Sequence, residues 1–173
     1  MTIKWLKEIA EKISKVPGSI EKCAGDGRWT YEVKKCALEV GKARGYRVCT
    51  SGFQEQADAE WLYDLVWFNN TQDPFLKEVG LVLESEWAAS LDEIRYDFEK
   101  LHLANAPLKV MVCQSSNKKF ESIRDHFSKS IAAYDRIQQD SLYLIAIFMN
   151  PEFEFRFCVL DATGAEVPLS PQL

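Results

Sequence analysis

The sequence predicts an α/β domain with a central mixed β-sheet flanked by helices. Three observations carry that expectation. Four segments place apolar residues at helical spacing. Six shorter runs are rich in β-branched and aromatic residues and are bounded by turn residues. The two kinds of segment interleave as helix, helix, three strands, helix, strand, helix, two strands, an order that neither an all-helical nor an all-strand fold produces.

Taken in order, residues 2–16 put Ile3, Leu6, Ile9, Ala10, Ile13 and Val16 on one face, and Pro17-Gly18 stops the pattern. Residues 19–28 read as a loop. A second helix over 29–43 buries Val33, Cys36, Ala37 and Val40, with Gly45 as its stop. Strands follow at Tyr46–Thr50, Trp61–Phe68 and Glu78–Trp87, the last two joined by a turn region from Asn69 to Pro74. Ser90 or Asp92 caps a helix to about Leu103, and Pro107 opens a strand through Gln114. A long helix over 118–138 carries Phe120, Ile123, Phe127, Ile131 and Tyr134 in register. Strands at Leu142–Phe148 and Phe153–Leu160 complete the sheet, and the Pro-rich tail VPLSPQL is expected to fray.

Length and composition fit one domain over residues 1–173, divided as an N-terminal helix and loop (1–28), a core (29–113), and a helix with two further strands (114–173). The five cysteines are odd in number, widely spaced and without a CxxC pair, which argues against a disulfide framework and against a zinc site. They read as small buried apolar residues of a cytoplasmic protein. The N-terminal segment has charges every few residues and resembles neither a signal peptide nor a membrane span. Net charge is −5, yet it is unevenly spread. Residues 1–50 hold 11 Lys/Arg against 6 Asp/Glu, while residues 51–100 hold 3 against 12. A basic third beside an acidic middle suits a polyanion and a cation together; a mixed solvated surface gives the same numbers.

The informative anomaly is acid inside apolar strands. Asp64 lies in Leu62–Trp67, and Glu84 and Glu86 lie in Leu81–Trp87. Carboxylates are poor strand residues and costly to bury unpaired. Strand alternation puts Glu84 and Glu86 on one face. A connection centred on residue 73 sets Asp64 opposite residue 82, with Glu84 diagonal to it; a shift of one in the turn centre makes Glu84 directly opposite. Three converging carboxylates call for a hard cation such as Mg²⁺ or Mn²⁺. Acids facing water at strand ends, or paired with Arg and Lys, are the other reading of the same spacing.

With that element order and the stretches YDLVW, LVLESEW, DFEKL and APLKVMV, the chain resembles the PD-(D/E)xK nuclease superfamily, the restriction-endonuclease-like fold. The resemblance covers residues 29–113 in element order. It implies a Mg²⁺- or Mn²⁺-dependent endonuclease acting on DNA, in many such proteins as a homodimer and away from membranes. It assigns Asp64, Glu84 and the carbonyl of Ser85 to the metal, and Glu86 to positioning or deprotonating water. The family's proline before the aspartate is Tyr63 here, and its motif lysine is Glu86. In some members the lysine comes from the following helix, which points to Lys100; a solvated Lys100 paired with Asp97 is the plainer alternative. Because of the missing lysine, a catalytically inactive member of the fold that binds protein or nucleic acid is the rival expectation.

Other residues weigh less. Lys34, Lys35, Lys42 and Arg44, with Arg47, are candidates to track phosphates, or else are ordinary helix-surface charge. Glu39 is a minor metal candidate, and Glu32 reads as exposed. Gln114 ends a strand near the site. Trp61, Trp67 and Trp87 border the acids and read as base-stacking platforms or, more simply, as core. His102 and His126 lack metal-ligand spacing. The sequence has no GxSxG, P-loop or GxGxxG.

Overall fold

The computed structural model describes residues 3–53, 61–72, 75–88, 90–115, 120–150 and 152–169. Helix α1 (Ile3–Ile13) buries Leu6, Ile9, Ala10 and Ile13, the stripe that its spacing predicts. A short 3₁₀ turn at Val16–Ser19 places Pro17 where a missing N–H costs nothing. Helix α2 (Asp26–Ala43) starts earlier than expected, capped by Gly25 with Asp26 in its first turn. It ends where Gly45 takes φ +80°, a conformation that side chains with a Cβ resist.

Strands β1 (Arg47–Thr50), β2 (Leu65–Asn70) and β3 (Leu76–Glu86) form an antiparallel meander. Helix α3 (Leu91–His102) leads to β4 (Leu108–Ser115), which lies parallel to β3. Helix α4 (Phe120–Ala133) leads to β5 (Leu142–Met149), parallel to β4. Strands β6 (Glu154–Asp161) and β7 (Glu166–Val167) add antiparallel pairs, giving one mixed sheet in the order β1-β2-β3-β4-β5-β6-β7. The expected α/β class, a mixed sheet flanked by helices, is what the chain adopts.

The helices divide between the two faces. On one, Leu6, Ile9, Val33 and Val40 pack against Leu65, Trp67, Leu83 and Val110. On the other, Ile94, Phe98, Phe127 and Ile131 pack against Val66, Val82, Met111 and Ile145. The central strands are apolar on both sides, as strands covered on both faces must be. Gly41 lets α2 press directly on Trp67, whose indole Nε1 donates to the Ala37 carbonyl at 3.1 Å.

Several boundaries depart from expectation. The second strand begins at Leu65, not Trp61; Trp61 turns its ring onto Phe68 at 4.7 Å and Leu62 is exposed. The helix expected over 118–138 ends at Ala133. Val167, the first residue of the tail expected to fray, belongs to β7 and pairs with Val159; residues 170–173 lie outside the described residues. Residues 73 and 74 of the expected turn also lie outside it. Four of the five cysteines are buried and all are free thiols, as read from their spacing. Among the described residues no helix is long and apolar enough to cross a membrane.

Candidate active site

The acids meet where β2 begins and β3 ends. The β2–β3 register pairs Leu65 with Leu83, so the ladder carried one step further sets Asp64 opposite Glu84. This is the one-residue shift weighed from the sequence. Asp64 stands just before β2, and its backbone is pinned by Thr50, whose hydroxyl donates to the Asp64 carbonyl at 2.8 Å. Asp64 Oδ2 accepts two hydrogen bonds from Ser85, one from its N–H at 2.8 Å and one from its hydroxyl at 2.7 Å. Behind Ser85 lies a support the sequence did not disclose. Thr30 Oγ1, on α2, is 3.3 Å from Ser85 Oγ and accepts from the Trp87 indole N–H at 2.9 Å. Strand alternation explains the split: Ser85 turns to the α2 face while Glu84 and Glu86 turn to the α3 face.

Glu84 is only 3% exposed. Lys100 reaches it from α3, with Nζ 2.6 Å from Glu84 Oε1 and 3.2 Å from Asp97 Oδ1. Lys100 therefore makes the i,i+3 pair with Asp97 and also reaches Glu84. The contact with Glu84 is a largely buried ion pair on the one oxygen Oε1. Burial pushes the Glu84 carboxyl up to about 7; Lys100 opposes the rise, and the charges of Asp64 and Asp97 add to it. Burial works to lower the Lys100 pKa, but Glu84 and Asp97 overcome it and hold the ammonium above its ordinary value. Tyr63, which donates to the Lys100 carbonyl at 3.3 Å, is raised by burial and by Glu84.

Glu86 is placed differently. Its Oε1 accepts the Ala88 N–H at 2.6 Å, and its other neighbours are Asp97 and Glu93. Burial raises its pKa first, the Ala88 bond opposes, and Asp97 and Glu93 raise it further. The three expected acids thus share a locality, but each carboxylate answers a different donor: Ser85, Lys100 and Ala88. Among the described residues no three Asp, Glu, His or Cys side chains gather into a metal-holding group. Like charges left together repel, and separate donors are the lower-energy arrangement. The donor set itself is all hard oxygen, the kind a Mg²⁺-class ion prefers, while Glu84 Oε1 faces the Lys100 ammonium and Asp64 Oδ2 faces Ser85.

The remaining nominees scatter. Lys34 is no surface charge: it is buried and donates to Ser51 Oγ at 3.2 Å, one helical turn from Thr30. Lys35 and Lys42 are exposed on α2. Arg44 pairs with Glu8, and Arg47 lies 4.9 Å from the Phe68 ring centre. Glu39 is committed to Lys12 of α1 at 2.8 Å, and Glu32 to Arg28 at 2.6 Å. Gln114 Nε2 donates to the Trp87 carbonyl, which ties β4 to the end of β3. Trp67 and Trp87 are core residues, and only Trp61 is exposed among the three.

No protein-family model, curated protein or solved structure matches the chain.

Proposed function

We propose that this chain is a metal-dependent nuclease-like hydrolase that cleaves phosphodiester bonds in DNA. The observation that carries the reading is Lys100. It arrives from the helix after β3 onto a buried glutamate, and so supplies the cation that the Glu84-Ser85-Glu86 motif lacks. The meander β1–β2–β3 followed by a helix and a strand parallel to β3 supports the family resemblance in element order.

In this reading Asp64, Glu84 and the Ser85 carbonyl hold Mg²⁺ or Mn²⁺. A bound divalent ion supplies an acidified water and neutralises phosphoryl oxygens. The chain's own residues do the rest. Ser85, backed by Thr30, fixes the Asp64 carboxylate. Glu86, with its raised pKa, is poised to take a proton from water. Lys100 sets a positive charge where phosphoryl oxygens gain negative charge.

The test is cleavage of plasmid and single-stranded DNA with millimolar Mn²⁺ or Mg²⁺ by wild type, Glu84→Gln and Lys100→Met. Each variant should lose about a hundredfold or more. Activity that persists in Glu84→Gln refutes the assignment. A second reading, an inactive member of the fold acting as a binding module, is favoured by one observation: the carboxylates do not gather for a metal. Calorimetry showing no Mn²⁺ binding at millimolar concentration would select it.

A further inference from the structure

A buried polar chain unrelated to the acids runs through the α3–α4 face of the sheet. Lys109 of β4 is fully buried, and its Nζ donates to Tyr143 Oη at 3.2 Å. Tyr143 Oη is 3.0 Å from His102 Nδ1, and His102 Nε2 is 3.0 Å from Ser130 Oγ. The hydrogen positions follow from chemistry. An ammonium only donates, so the Tyr143 oxygen accepts and its one proton turns to His102 Nδ1. The neutral ring then carries its proton on Nε2 and donates to Ser130. Ser130 keeps its own proton for the cleft it lines. Burial and Lys109 push His102 down to about 4, which keeps the ring neutral, and burial brings Lys109 down to about 8, still mainly an ammonium at neutral pH.

The cleft lies between α3 and α4 and has a volume of about 670 Å³, within the range of small-molecule sites. Its polar groups are donors or cations in excess. Beside Ser130 stand Lys129 and His126, whose buried Nε2 has no hydrogen-bond partner. Among the described residues no carboxylate pairs with Lys129. Arg95 also lines the cleft but is engaged by Glu99 at 3.6 Å and Asp92 at 3.9 Å. Glu99 and Lys100 also line the cleft, Glu99 turned to Arg95 and Lys100 held by Glu84 and Asp97, and the apolar part of the wall is Tyr134, stacked on the His102 ring at 5.4 Å, with the exposed Leu103 and Tyr96.

We propose that the α3–α4 cleft is a second site, binding a small organic anion in which a carboxylate or phosphate is carried on a flat apolar body. Ser130 and Lys129 hold the oxyanion, and the Tyr134–Leu103 wall takes the ring. The buried ammonium of Lys109, relayed through Tyr143 and His102, polarises the Ser130 hydroxyl toward the anion. Lys100 borders both this cleft and the acids, but it is engaged by Glu84 and Asp97, so the oxyanion falls to Ser130 and Lys129.

The experiment is calorimetric titration of the whole chain, with a metal chelator present, using phenyl phosphate, benzoate and inorganic phosphate as probes. Phenyl phosphate should bind with a dissociation constant below about 1 mM, and inorganic phosphate at least about tenfold more weakly. Benzoate, tested alongside, shows whether a carboxylate serves as the oxyanion. Ser130→Ala and the exposed Lys129→Met should each weaken phenyl phosphate about tenfold. Lys4→Met, the same charge change on the exposed side of α1 across the sheet, should leave it unaltered. No saturable binding of phenyl phosphate or benzoate at about 10 mM, or equal affinity in Lys129→Met and wild type, would overturn the proposal. So would inorganic phosphate binding as tightly as phenyl phosphate, since the apolar wall would then contribute nothing.

Discussion

Glu84→Gln should make the protein more stable at alkaline pH even as it destroys the proposed chemistry. Glu84 is 3% exposed, and its folded carboxyl titrates near 7 against an ordinary value of 4.5. Between those two values the folded protein holds a proton that the unfolded chain has released. Stability contributed by the protonated form is therefore complete below 4.5 and is lost as pH rises through 7. The interval is worth about 3 kcal/mol. That figure already includes the attraction of Lys100, which at 32% side-chain exposure can be rehydrated once its partner is neutral. Glutamine keeps the shape of the protonated acid and cannot ionise. At pH 8 the variant should melt roughly 6–12 °C above wild type, while near pH 4.5 the two should nearly coincide. Scanning fluorimetry at the two pH values measures this. A variant that melts below wild type at pH 8, by more than at pH 4.5, would refute the reasoning, because the Lys100 pair would then outweigh the burial of the charge.

Lys109→Met works in the opposite pH direction. Its folded pKa near 8 lies below the ordinary 10.5, so the unfolded chain binds the proton more tightly and stability rises with pH across that window. At pH 7 the full cost of about 3 kcal/mol applies, set against about 1 kcal/mol for the donor that Tyr143 loses. Urea denaturation should show the variant roughly 2 kcal/mol more stable at pH 7 and little different at about pH 10. Gly41→Ala should destabilise by about 1–3 kcal/mol, since the new Cβ would lie 2.7 Å from Trp67 Cε2; loss of the buried-Trp fluorescence signature at lower urea concentration reports it.

Much of the fold is legible because periodicity and burial coincide. The stripes Leu6–Ile9–Ile13 and Phe120–Ile123–Phe127–Ile131, and the strands around Leu108–Gln114 and Leu142–Phe148, are each dictated by side chains that can only face a core. The start of β2 is not legible in this way. Trp61 and Leu62 are apolar and read as strand, but they leave the ladder so that Asp64 can fold its carboxylate onto Ser85. Tertiary hydrogen bonds override propensity there. The site was half visible. Asp64, Glu84 and Lys100 stand out as charges in the wrong surroundings or at a suggestive offset. Thr30 and Ser85 do not, because a hydroxyl is ordinary in a helix or a strand and only the fold brings α2 beside β3. Lys34 misleads for the converse reason: a lysine on a helix reads as solvated, and its burial against Ser51 depends on where β1 ends. His102 gives no spacing signal because its partners come from β5 and α4.

The two outermost strands are also the shortest, four residues in β1 and two in β7, while the inner strands β3, β4, β5 and β6 run to eight or more. An open edge is a template on which another chain can lay a strand, and its reach scales with the run of unpaired backbone groups it offers. A sheet that tapers at both rims gives a stray segment too few rungs to hold. Among the described residues lateral stacking of one sheet on another has four rungs at one rim and two at the other, and crowding of nascent copies should lead to little of it.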